Sequence, residues 1–170
     1  MKKILLLTSL FLCLLMYNDH YIKASESTNT NVKVDSTLTE QNIFMVLLRN
    51  NIKYPEVVLS QIMIETGYLK SKLCRKNNNL LGMTVPSKRE TTALNESGYA
   101  KYANWFECIA DYKLYQDFVF SKHTFTSKKQ YIAYLQKNYA KSPNYKSRLI
   151  QLSKEYELRN PYNFMFYTTL

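Results

Sequence analysis

The segment SQIMIETG, Ser60 to Gly67, carries one carboxylate, Glu65, in a run that is otherwise nearly all apolar. A carboxylate kept charged against apolar neighbours is costly unless it is paired. Its pKa rises instead, and it holds a proton near neutral pH. Such a carboxyl can pass that proton to the leaving oxygen of a glycosidic bond. Gln61 lies four residues earlier and shares a helix face with Glu65. Thr66 and Gly67 follow, so the helix ends just past the acid, where a cleft can open. The same residues also fit a purely structural role, with Glu65 hydrogen-bonded to Gln61, Asn78 or a backbone N–H.

Other chemistries find little support. His20 falls in the N-terminal segment, which leaves His123 without cysteines or carboxylates at ligand spacing. No metal site, cofactor motif, Cys/His pair or Ser/His/Asp set is expected. Cys74 and Cys108 allow a single pairing, and their spacing does not place them together. The chain of 170 residues has a formal charge of +10, which suits an anionic partner. The basic residues do not alternate with aromatics as in nucleic-acid modules, so no nucleic acid is expected.

The elements that must position Glu65 can be traced along the chain. Lys2 and Lys3 precede the apolar block Ile4 to Met16, which is too short to span a bilayer comfortably. This describes a secretory signal peptide over 1–24, cut after Ala24, and hence a secreted or periplasmic protein that meets the membrane only through that signal. A polar Ser/Thr/Asn-rich leader follows over 25–36. One domain is expected over 37–160, and the aromatic tail 161–170 has no assignment.

Within the domain, Thr37 and Glu40 fit a capping box opening a first helix. Pro55 opens a second helix, apolar on all sides and therefore central, that stops at Gly67. Residues 83–102 lack helical period; TTAL and GYAKYA read as short strands, with PSKRE and NESG as turns. Asn104 with Glu107 caps the next helix. Ser127 or a neighbour starts another, and Pro143 opens the last. The fold class is α+β, mainly helical.

Four segments together resemble the bacterial glucosaminidase domains (glycoside hydrolase family 73). QIMIETG resembles that family's Q-x-x-x-E-[ST]-G helix end. NNLLGM, ending at Met83, resembles its N-[LI]-[FL]-G turn. YANWFECIADY resembles its aromatic-led later helix, and NYAKSPNY its Y-A-[TS]-[DS]-P-x-Y segment. Their order and spacing agree over about Leu38 to Leu158. The resemblance implies a lysozyme-like fold with a small β excursion between the catalytic helix and the later helices. It implies an endo-β-N-acetylglucosaminidase acting on peptidoglycan glycan strands. Glu65 takes the place of the general acid, Tyr139 that of a tyrosine lining the sugar site, and Asn79 that of the first residue of the turn beside the acid. Gln61 is expected at the cleft wall, so Gln61, Asn79 and Tyr139 form the substrate-binding set. Cys108 stands where the family often has serine. Lys141 and Ser142 stand where threonine and aspartate are frequent.

Hydrolysis usually employs a second group: a base about 6.5–9.5 Å from the acid, or a nucleophile about 5 Å away. The β excursion offers Glu90 and Glu96. Glu90 is favoured because it leads into a strand. The substrate's own acetamido group, or Glu65 acting as both acid and base as in lytic transglycosylases, would remove the need for either. A non-catalytic glycan-binding module is the alternative outside the enzymes.

Overall fold

The computed structural model describes residues 36–140 and 142–159, all within the compact unit Val34–Leu170. The expected signal peptide, nearly all of the leader, and the aromatic tail lie outside the described residues. Among those residues, no helix is long and apolar enough to cross a membrane. The order is α1 (Glu40–Arg49), α2 (Pro55–Thr66), α3 (Lys72–Asn77), β1 (Leu94–Glu96), β2 (Tyr99–Lys101), α4 (Trp105–Phe120), α5 (Lys128–Asn138) and α6 (Tyr145–Arg159). The two strands form one antiparallel hairpin, with Asn95 opposite Ala100. The expected mainly helical α+β class, with its β excursion between the second helix and the later ones, is what the chain adopts.

Local chemistry sets most of the boundaries. Thr39, not Thr37, caps α1: its hydroxyl accepts from the Asn42 amide at 3.1 Å. The Thr37 carbonyl instead accepts from the Asn42 side chain. A threonine two residues later serves equally well, and pattern alone could not choose between them. Asn104 accepts from the Glu107 amide at α4, and Ser127 from the Gln130 amide at α5, as expected of N-caps. The hairpin turns on Ser97 and Gly98, both at positive φ, the geometry that matches strand twist in two-residue loops.

Helix α2 runs through the middle of the fold. Val58, Leu59, Ile62 and Met63 pack into a cluster with α1, α3 and α4. Val57 enters a second cluster with Tyr131, Ile132 and Leu135 of α5 and Tyr145 and Leu149 of α6. The broadest helix–helix contact is between α2 and α6. Apolar residues all round the helix are thus matched by partners all round it.

The segment between α3 and β1 has no regular structure but is firmly anchored. Arg89 makes a two-pronged contact with Asp111 of α4, at 2.6 and 3.0 Å, and both side chains are buried. The Tyr102 hydroxyl donates to the same carboxylate at 2.7 Å. Burial alone would raise the Asp111 pKa, but Arg89, Tyr102 and Thr91 outweigh it and hold the carboxyl below its usual value. The pair therefore stabilises the fold above the ordinary aspartate pKa and loses that contribution as pH falls.

Arg89→Ala leaves Asp111 charged and unpaired in the interior. It should cost about 3–5 kcal/mol in denaturant unfolding. Replacing both partners with apolar residues should cost less than either single change, because no stranded charge remains.

Candidate active site

The helix end that presents Glu65 is built by its neighbours. Gly67 sits at φ +55. Its amide donates to the Ile64 carbonyl and that of Tyr68 to the Met63 carbonyl. This pair of bonds is a Schellman closure, which wants glycine at the left-handed position. Thr66 is the hub of the turn. Its hydroxyl donates to the Ile62 carbonyl at 2.6 Å and accepts from the Leu69 amide at 2.9 Å. Its carbonyl accepts from both Lys70 and Ser71. Tyr68 and Leu69 also take positive φ, so the chain turns sharply away and Glu65 stays in the last turn of a buried helix.

Glu65 itself is partly exposed, while Gln61, one turn back, has no accessible surface. The residue is thus not sealed in the interior. Burial raises its pKa above the usual value; a hydrogen bond from Tyr145 and the charge of Arg148 pull the other way without cancelling the shift. The negative pole at the end of α2 also disfavours the ionised form. On its other side Glu65 meets the turn 79–83. A Cβ on Gly82 would lie 3.7 Å from Glu65 Oε2, and Gly82 is at φ +62. Glycine there satisfies the left-handed backbone, and the turn passes within contact distance of the carboxyl.

That turn is organised by Asn79. Its side-chain amide donates to the Met83 and Ala100 carbonyls, both at 2.8 Å. Its oxygen accepts from the amides of Leu81 and Met83. Asn79 is 1% exposed, so it shapes the turn and ties it to β2, with its polar atoms spent on backbone. Gln61 is equally committed: its Nε2 donates to Tyr145 and its Oε1 accepts from Tyr112. The expectation that Gln61 and Asn79 touch sugar is therefore corrected, since both amides are buried and bonded within the protein through both nitrogen and oxygen. Both support Glu65 from behind. Tyr139, at the end of α5, is partly buried and donates to the Leu81 carbonyl. Its ring also packs edge-on against Tyr115. Glu65 acts on its electrostatics, so Tyr139 does belong to the neighbourhood of the acid.

The second carboxylates stand elsewhere on the chain. Glu90 is exposed on the anchored segment, and its carbonyl accepts from Arg89 at 2.8 Å. Glu96 is exposed at the end of β1, 3.6 Å from Lys101. Sequence reasoning passed over Tyr145, Arg148 and Gly82. Tyr145 and Gly82 lie inside two of the quoted motifs, so a signal existed. Arg148 is one of many surface cations, and only the packing of α6 brings it near.

Cys74 and Cys108 are free thiols, both buried. Burial pushes Cys108 up to about 12, and its sulfur accepts from the Leu80 amide at 3.3 Å. Among the described residues, no group of three His, Cys, Asp or Glu side chains could hold a metal. A surface hollow of about 450 Å³ between α1 and the start of α4, lined by Val46, Arg49, Asn50, Asn104, Phe106, Glu107 and Ala110, shares no residue with the Glu65 site. The carboxyl geometry, not that hollow, marks the site.

A partly exposed carboxyl with raised proton affinity, at the end of a buried helix and beside a glycine turn, is the kind of group that glycoside hydrolysis employs. Residues 41–158 match the glucosaminidase family, described as mannosyl-glycoprotein endo-beta-N-acetylglucosaminidase. The chain belongs to that family and is a glycoside hydrolase of the endo-β-N-acetylglucosaminidase type. Its structure is similar to the catalytic domain of the autolysin Auto from Listeria monocytogenes. That likeness has a TM-score of 0.46 and 22% identity, and covers 79% of this chain and 94% of that one. No curated protein matches this chain.

The raised pKa of Glu65 has a cost in stability. Below the unfolded value near 4.5 both states are protonated and nothing is lost. As pH climbs above it, the unfolded state ionises first and the folded state loses stability. Glu65→Gln should therefore unfold at higher denaturant than the parent at about pH 8, by about 1 kcal/mol, and the gain should vanish at about pH 4.

Proposed function

We propose that the protein is exported and cleaves β-1,4 bonds of N-acetylglucosamine in peptidoglycan, with Glu65 as the general acid. The observation that carries this reading is Glu65 itself: desolvation favours its protonated form, yet it remains accessible. A proton donor must hold its proton at working pH and still reach the bond. The basic character of the chain, +10 overall, suits an anionic wall polymer.

Glu90 is the proposed partner that activates water. Its backbone is held by Arg89, and Arg89 is in turn held by Asp111, so the segment has a fixed anchor. Tyr139 is proposed to border the sugar site, while its hydroxyl stays on the Leu81 carbonyl.

Purified sacculi provide the test. The parent chain should release soluble muropeptides that end in a reducing N-acetylglucosamine. Glu65→Gln should lower release by about 10²-fold or more, and Glu90→Gln by a similar factor, while Glu96→Gln should stay near the parent. Mass spectrometry of the ends reads the mechanism. Anhydro ends would make the enzyme a transglycosylase, and binding without release by parent and variant alike would make it a binding module.

A further inference from the structure

Behind Glu65 lies a string of buried polar side chains reaching across the core to the far end of α4. Gln116 is 1% exposed. Its Oε1 accepts from the Lys53 amide at 2.7 Å and its Nε2 donates to the Lys53 carbonyl at 2.9 Å. A backbone N–H can only donate and a carbonyl only accept, so one orientation of this amide satisfies both. Its Nε2 therefore also donates to the Tyr131 hydroxyl, at 3.2 Å. Tyr131 is thereby an acceptor from Gln116, and its own hydrogen must go to Tyr112, at 2.9 Å. The Tyr112 hydrogen goes to Gln61 Oε1 at 2.6 Å. Gln61 Nε2 donates to the Tyr145 hydroxyl at 3.1 Å, so the Tyr145 hydrogen must point elsewhere, and Tyr145 lies close enough to Glu65 to lower its proton affinity.

The opposite direction is excluded by hydrogen-bond accounting. If Gln61 were turned over, Tyr112 would donate to Tyr131, and the Tyr131 hydrogen would face only the donor Nε2 of Gln116. A buried hydroxyl hydrogen without an acceptor costs about 1–3 kcal/mol. As built, no buried side-chain nitrogen or oxygen among the described residues lacks a partner.

We propose that Gln116, Tyr131, Tyr112, Gln61 and Tyr145 form a one-way hydrogen-bond relay, set at the Lys53 backbone, that makes one Glu65 oxygen an obligatory acceptor and so keeps the transferable proton on the other. The inference rests on Glu65 being the acid. It makes Tyr145 and Gln61 positioning residues that act through Glu65 and not through the sugar. The relay also bounds the proton affinity of the acid. Burial raises it, and a donor fixed on one oxygen stops it from rising so far that the proton is never released. The charged and titratable groups facing Glu65 are Tyr145 and Arg148 on α6 and Tyr139 at the end of α5. Only Tyr145 belongs to the relay, and the other two are retained in the variants below.

The test uses the full chain as parent, Tyr145→Phe, Tyr131→Phe and Glu65→Gln. The first readout is the pH profile of kcat on sacculi, and the second is a carbon-13 NMR titration of the Glu65 carboxyl without substrate. Tyr145→Phe removes the donor to the ionised form, so both the alkaline limb and the Glu65 midpoint should move up by about one unit. KM should stay within about twofold, because no relay residue meets sugar. Tyr131→Phe, far from the acid, should move both the same way by less, and it serves if Tyr145→Phe does not fold. Unmoved midpoints in folded variants, with only a lower kcat, would overturn the relay and leave a packing role. Activity retained by Glu65→Gln would instead overturn the assignment of the acid, and the substrate-free titration would still decide whether the relay acts on Glu65.

Discussion

The removal of water from the last turn of α2 is the constraint on which the rest depends. A carboxyl at the surface of a basic protein would be fully ionised and useless as a proton donor. One wholly inside would be protonated but unreachable. The fold lies between these limits because α2 is buried without a break from Val57 to Met63 and then stops within two residues of Glu65. The Schellman closure at Gly67 and the Thr66 hub make that stop abrupt. If the helix ran one further turn, Glu65 would be in mid-helix, flanked by its own chain.

The turn 79–83 supplies the opposing wall. It has no regular structure, so its shape must come from side-chain hydrogen bonds, and Asn79 makes four of them. Through the Ala100 carbonyl it fastens the turn to the hairpin, and the Ala100 amide returns a bond to Met83. Tyr139 closes the turn from the other side through Leu81. Glycine at position 82 is favoured by its positive φ, and the Glu65 carboxyl lies in ordinary contact distance of where a Cβ would be.

Much of this was legible in the chain before any coordinates. The central helix announced itself through apolar residues on all faces, a proline at its start and a glycine at its end. Asn104 and Ser127 declared their caps. The hairpin was legible, though it is shorter than TTAL and GYAKYA suggested: only Leu94 to Glu96 pair with Tyr99 to Lys101, while the Ala93 amide donates locally to Thr91. Glu65 was visible as one charge in an apolar run. What could not be read was the commitment of polar groups. Whether Gln61 faces sugar or protein depends on Tyr112 and Tyr145, which are 51 and 84 residues away. With fifteen tyrosines in the chain, no local pattern distinguishes those that reach Gln61. The Arg89–Asp111 pair was hidden in the same way, since a loop arginine looks like a solvated charge until a helix 22 residues later is folded against it.

Two consecutive residues of α4 tie these parts together. Asp111 and Tyr112 point to different sides of the helix, and both are buried. Asp111 grips Arg89 and so holds the segment that carries Glu90. Tyr112 grips Gln61, which in turn bonds Tyr145 beside Glu65. Successive positions on a helix are about 100° apart, so one rigid turn can serve two segments without either competing for the same partner. Helix α2 and the Glu90 segment need no direct contact with each other to keep a fixed separation. Each is referenced to the same turn of α4, and buried charge-assisted and tyrosine hydrogen bonds make that reference stiff. A displacement of α4 would move both together, whereas loss of either grip would release one and leave the other in place.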